Sequence, residues 1–138
     1  MLEISKVQEK DIDNLKKYNI FLDKEYDTLD NCFILKENGN ICGFGYYDIH
    51  GTTAQIKQLE IFGEDKDLNL NIYYEVYLDF LIRGLINSAE RKGLEKLSVD
   101  VKKIHNPSIL DKLHFKADTI SENAVLNIDD FFNIKCVK

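Results

Sequence analysis

Residues 60–76 read EIFGEDKDLNLNIYYEV. A strand-like run breaks at Gly63, a charged turn follows, and a long apolar helix pattern begins. Strand, short loop and helix N-terminus together make an arrangement suited to phosphate. The first amides of a helix have no internal partner, and the helix dipole favours negative charge there. Loops of this kind are normally rich in glycine, whereas this one carries Asp67, Asn69 and Asn71. Cofactor loop or plain connection, the stretch fixes a strand–helix junction mid-chain, and the remaining elements can be laid out around it.

Downstream, helical spacing predicts a helix from about Leu70 to Lys92. Glu75, Asp79, Arg83 and Asn87 form a polar stripe at intervals of four, with Asp79 placed to pair with Arg83. The other faces carry Ile72, Tyr73, Val76, Tyr77, Phe80, Leu81, Leu85 and Ile86, which predicts packing against a sheet. Gly93 after Arg91-Lys92 is a stop signal. KLSVDV (96–101) reads as a short buried strand, and Asn106-Pro107 as the cap and first position of a short helix, SILDKLHF. Strands around KADTI and AVLNI, then FFNIKCV, complete the reading.

Upstream, LEISKV alternates as a first strand, and EKDIDNLKKYNIFL (9–22) places Ile12, Leu15, Tyr18 and Leu22 at helical spacing. Residues 23–31 read as a polar loop. Asn38-Gly39 between two apolar runs is a type I′ hairpin signal, which sets strands at about 32–37 and 41–49. Gly43 and Gly45 inside the second of these mark a bulge, a close backbone approach, or tight packing under a helix. HGTTAQ turns the chain into QIKQLEIF. The order is β-α-β-β-β-α-β-α-β-β. It describes one α/β (α+β mixed) domain over residues 1–138, a mixed sheet with helices on both faces and a right-handed strand–helix–strand crossover.

Composition narrows the function classes. The chain has 138 residues, 44% hydrophobic and 30% charged, with net charge −6. Phosphate-backbone recognition needs clustered Lys and Arg, so a nucleic-acid face is excluded. The N-terminus lacks an apolar leader core, and Glu75, Asp79 and Arg83 interrupt the longest apolar stretch, which excludes a membrane span. Cys32, Cys42 and Cys136 form no CxxC pair and read as reduced, buried thiols, pointing to the cytoplasm. His50, His105 and His114 have no metal-ligand spacing, and no serine sits in a nucleophile elbow.

The element order, INSAERKGLEKLSVDV (86–101) and NPSILDKLHF (106–115) together resemble the GNAT superfamily of N-acetyltransferases, the last segment its "N…A…LYEKLGF". The resemblance implies a sheet splayed between its fourth and fifth strands, with acetyl-CoA in the V-shaped gap and transfer of an acyl group to an amine. It sets Leu59 and Ile61 on the family's "LxV", Gly63 on its proline and Lys66 on its arginine, with KDLNLN standing in for "RGxGIG". Lys66, Asp67, Leu68, Asn69 and Asn71, the strand backbone at Leu59 and Ile61, and the cap Asn106 are the implied cofactor-binding residues. Asparagine tolerates positive φ, so Asn69 and Asn71 suit the backbone path. Asp67 places like charge near phosphate: at about 4 Å and an effective dielectric of about 20 that is up to about 4 kcal/mol, or about a thousandfold in affinity.

The same alignment puts Leu110 where many members carry a tyrosine that protonates the leaving thiolate, and His114 at the glycine of "LGF". An amine must also lose a proton before it attacks. Glu60 is the best-placed carboxylate, with Asp48 and His50 behind it, and water serves in many such enzymes. Tyr46, Tyr47, Tyr73 and Tyr74 are candidates to line the gap or to fill the core. Two functions stay open. One is a divergent acyl-CoA-dependent N-acyltransferase acting on a small-molecule amine or a protein lysine. The other is a GNAT-like binding or interaction module without catalysis, pairing with a second copy through its C-terminal strands.

Overall fold

The computed structural model describes residues 2–20, 29–62, 70–104, 108–117 and 123–136. Leu2–Lys6 (β1) leads into Glu9–Lys16 (α1), whose first turn is closed by the Gln8 amide donating to Asp11 Oδ2 at 3.0 Å. Asp11 is buried, and its other oxygen lies 3.6 Å from Lys36 Nζ. The helix is shorter than its apolar spacing predicts. Asn19 turns left-handed at φ 62° and the Ile20 amide reaches back to Leu15 O at 3.2 Å, so the helix closes there. Tyr18 is thrown onto the surface, where it stacks on Phe62 at 4.2 Å between ring centroids. Leu22 lies outside the described residues.

The meander runs Cys32–Glu37 (β2), Asn40–His50 (β3) and Thr53–Ile61 (β4). Asn38 and Gly39 have φ values of 52° and 87°, the two positive angles that a type I′ turn requires. Leu70–Arg91 (α2) follows, then Lys96–Asp100 (β5), Ser108–Lys112 (α3), Lys116–Ala117 (β6), Asn123–Asn127 (β7) and Ile128–Cys136 (α4). The seven strands lie in the order β1-β2-β3-β4-β5-β7-β6, with β4 and β5 parallel and the other pairs antiparallel.

FFNIKCV, given no helix in the expected element order, lies in α4 as far as Cys136. Ile128, Phe131 and Phe132 are spaced by three and four rather than two, and Asp129 and Asp130 occupy the first turn, where the helix dipole favours them. The Ile128 amide donates to Glu95 O at 3.0 Å, which pins the helix start, and Phe131 is buried.

Strand alternation divides the interior in two. On one face Cys32, Ile34 and Phe44 pack with Val7, Ile12 and Leu15 of the α1 region. On the other, Phe33, Tyr47, Ala54, Ile56, Leu97 and Val99 pack under α2, α3 and α4. The buried stripe of α2 is Leu78, Leu81, Ile82, Leu85, Ile86 and Ala89, which is i, i+3, i+4, i+7, i+8, i+11. At about 2 kcal/mol per large side chain this face contributes on the order of 10 kcal/mol before entropy is counted. Val76 and Phe80 fall outside the stripe and are exposed, so the helix is less enclosed than its composition implies. The expected Asp79–Arg83 pair is present, with Nε to Oδ1 at 2.8 Å.

Gly45 explains how close α2 lies. A Cβ there would stand 3.2 Å from Leu85 Cδ1 and 3.3 Å from Leu81 Cδ1, so the glycine is needed for packing under the helix. α2 ends as expected, with Gly93 at φ 76° and the Leu94 amide on Ala89 O at 3.0 Å.

Candidate functional site

β4 and β5 pair over four residues only, from Thr53–Lys96 to Ile56–Val99. β4 then runs on to Ile61 with β3 as its only partner among the described residues. Two local causes coincide at this fork. In β4, Gln58 faces Tyr46 and Ile56 faces Tyr47, so Lys57 is an extra residue, a β-bulge that bends the strand. In β5, Asp100 ends the strand by accepting from the Lys102 amide at 3.0 Å, which opens the 3₁₀ turn Val101–Lys103.

Beyond the fork the orientation of each β4 peptide follows from one hydrogen bond. The Phe62 amide donates to Cys42 O at 2.7 Å. Peptide groups alternate along a strand, so those of Glu60 and Gln58 also face β3. Those of Leu59 and Ile61 face the edge that β5 has vacated. Their side chains stay on the α2 face, packed against the core beneath that helix. The strand therefore presents the N–H and C=O groups of these two residues, without a ladder partner among the described residues, to a gap while its side chains hold it down.

Glu60 points to the opposite face and is exposed; its register partner is Phe44. Asp48 lies on the same face, four residues further along β3, half-buried and accepting from the Tyr46 hydroxyl. His50 is exposed at the end of β3. Asp48 stands opposite Gln55, before the fork, so the structure does not bring Glu60 together with the two alternatives. Tyr47 is buried under α2 with its hydroxyl 2.8 Å from Ser88 Oγ and serves the core rather than the gap. Burial raises its pKa above the ordinary tyrosine value. Tyr74 is half-buried against the same core.

Lys66, Asp67, Leu68, Asn69 and Asn106 lie outside the described residues, as does Gly63. Asn71 lies in the first turn of α2 by its backbone. Leu110, at the tyrosine position of the resemblance, is buried in the core. His114 is exposed with φ 70°, the left-handed conformation that a glycine adopts freely. The Phe115 amide bonds back to Leu110 O, so His114 serves as the C-terminal cap of α3. Cys32 and Cys42 are buried and not in a disulfide; burial pushes their thiols up to about 12 and about 11. Neither is a ready nucleophile.

One residue was missed in the sequence. Ser98 interrupts the apolar run of β5 and points away from Leu97 and Val99, onto the face that carries Asp48. It is 7% exposed. Buried Asp11, Asn31 and Ser88 each have a partner, whereas the Ser98 hydroxyl has none among the described residues. A serine in the middle of an otherwise apolar strand was the available signal.

No profile of a known protein family matches the sequence, and no curated protein matches it either. Solved structures do. The ribosomal-protein-S18-alanine N-acetyltransferase from Escherichia coli matches over 93% of this chain and 94% of its own, with 14% identity and a TM-score of 0.59. A GNAT-family acetyltransferase from Staphylococcus aureus Mu50 matches over 93% and 99%, with 11% identity and a TM-score of 0.60. A Salmonella typhimurium protein solved with its cofactor acetyl-CoA matches over 94% and 95%, with 15% identity and a TM-score of 0.62. At such identities the likeness lies in the fold. The sheet order, the parallel β4–β5 pair and its early separation agree with it, and the chain has the fold of the GNAT N-acetyltransferases.

Proposed function

We propose that the protein is an N-acyltransferase that moves an acetyl or related acyl group from acyl-CoA to an amine. The observation that carries this reading is the vacated edge of β4. The amides of Leu59 and Ile61 face a gap from which β5 has withdrawn. Such amides hold amide and thioester carbonyls as a neighbouring strand would, by main-chain hydrogen bonds. The start of α2 supplies the dipole for a diphosphate; Lys66, Asp67, Leu68, Asn69 and Asn71, which precede or open it in the sequence, and Asn106 are the binding residues carried over from the resemblance.

When bound, acyl-CoA supplies an activated thioester. Glu60 takes the proton of the incoming ammonium, directly or through water. The neutral nitrogen then bonds to the carbonyl carbon, the carbon–sulfur bond breaks, the nitrogen releases its second proton to solvent to become the amide, and the thiolate takes one proton up from solvent. Leu110 has no proton to give, so that last transfer has no side-chain donor at the position the fold family uses. The buried thiols of Cys32 and Cys42, not joined in a disulfide, fit a reducing, cytoplasmic setting.

A thermal-shift titration with acetyl-CoA tests the proposal. At a hundred times its dissociation constant the ligand adds about 2.7 kcal/mol, on the order of 10 °C for a domain of this size. Asp67→Gly with Asn69→Gly should enlarge the shift. No shift at millimolar acetyl-CoA would leave the second reading, a binding module that has lost catalysis. Leu110 at the acid position favours that second reading.

A further inference from the structure

The face of the sheet opposite α2 carries a polar strip beside the fork. Asp48, Gln55, Ser98 and Val125 are register partners across β3, β4, β5 and β7, so they form one row over the sheet. Their neighbours Tyr47, Ala54, Ile56, Leu97, Val99, Ala124 and Leu126 lie in the core beneath α2, which fixes the alternate side chains on this face. Gln55 and Asp100 are half-buried, and Asp100 follows Ser98 by two residues on the same side of β5. Partnered strands stand about 4.8 Å apart and alternate residues about 6.6 Å, so Gln55, Ser98 and Asp100 surround one point just before the fork. Exposed Lys96 and Lys116 lie at the outer rim of this face.

The Ser98 hydroxyl is the telling member. A buried hydroxyl without a partner is uncommon and calls for an explanation. Hydroxyl, side-chain amide and carboxylate are all hydrogen-bond acceptors. A primary ammonium is their complement, with three N–H donors and one positive charge. We propose that Gln55, Ser98 and Asp100 form the acceptor subsite and that it takes a primary alkylammonium group. Asp100 meets the charge, and Ser98 Oγ and the Gln55 carbonyl take the remaining donors. The subsite deepens the transferase reading and rests on it for its catalytic meaning. Its side chains lie on the face away from α2.

Calorimetric titration with pentane-1,5-diamine and with Nα-acetyl-lysine methylamide, each with and without coenzyme A, tests the subsite. Tighter binding of the diamine indicates a small-molecule acceptor; tighter binding of the lysine derivative indicates a protein side chain. Either result supports the proposal. Asp100→Asn keeps a capping oxygen for Lys102 and removes the charge; it should weaken the bound amine about tenfold. Ser98→Ala should weaken it severalfold while leaving the melting temperature unchanged or higher, since no internal hydrogen bond is lost. The proposal is overturned if neither amine binds at about 1 mM, the upper end of ordinary KM values. It is equally overturned if both variants bind like the parent, or if Ser98→Ala lowers the melting temperature and leaves binding intact. Amine binding is read independently of acetyl-CoA, so failure of the cofactor titration and failure of this subsite remain distinct outcomes.

Discussion

The Phe115 amide donates to the Leu110 carbonyl across 2.9 Å, and His114 between them holds φ at 70°. The hydrogen bond closes α3 and fixes the side chain before it in the core. Left-handed backbone is unfavourable by about 1–2 kcal/mol for a residue with a Cβ, and glycine escapes this at a smaller entropic cost. His114→Gly should therefore stabilise the protein by about 0.5–1 kcal/mol, raising the melting temperature by roughly 2–4 °C. A lower melting temperature would mean the imidazole has a role that its exposure hides.

Proline scanning of the end of β4 reads the orientation of its amides. Phe62→Pro removes the donor to Cys42 O and should destabilise more than Phe62→Ala by about 1–3 kcal/mol. Ile61→Pro removes an amide that has no ladder partner, so it should differ little in stability from Ile61→Ala. It should nonetheless abolish the stabilisation by acetyl-CoA that Ile61→Ala retains. Equal losses of stability at both positions would reverse the assignment of which peptides face the gap.

Gly45→Val tests the seating of α2. The new side chain meets Leu85, Leu81 and Leu59 at once, and overpacking of this kind is unfavourable by about 1–3 kcal/mol. Gly51→Ala makes a useful control. Its position is left-handed at φ 62° with nothing within 4 Å, so only the backbone strain of about 1–2 kcal/mol is felt. Chemical denaturation of both variants checks the ranking.

Cys32 and Cys42 should resist a thiol reagent at pH 8 until the protein is unfolded. Burial holds their folded values at about 12 and about 11, above the ordinary thiol. The folded state thus keeps protons that the unfolded state releases. This contribution to stability is complete below about pH 8.5 and falls as pH rises toward the folded values, by up to about 1.4 kcal/mol per unit for each thiol. Denaturation midpoints measured between pH 8 and 10.5 should fall accordingly, and Cys42→Ala should flatten part of the slope.

Much of the architecture could be read from local chemistry. Asn38-Gly39, Gly93 and the four-residue stripe on α2 each act within a few residues, and each stands where the sequence places it. The two departures came from longer range. Asn19 closes α1 before the apolar pattern runs out, because a cap outranks a continuing stripe. FFNIKCV has strand-like composition, but it falls in a helix whose start, at Ile128, is pinned by Glu95, more than thirty residues away. The site divides in the same manner. Leu59 and Ile61 follow from strand alternation, while Ser98 needed the cross-sheet row to acquire its neighbours. Lys66, Asp67, Leu68, Asn69 and Asn106 fall outside the described residues.

The extra residue in β4 has a consequence for inheritance of the fold. Its apolar positions run 54, 56, 59, 61: a two-residue beat that skips once, at Lys57. Without the skip, Glu60 would be driven beneath α2 and Leu59 out into water. Deleting Lys57 itself would instead leave Leu59 and Ile61 beneath α2 on an unbroken beat and take away only the bend, so the strand's packing and the opening beside it can be lost separately.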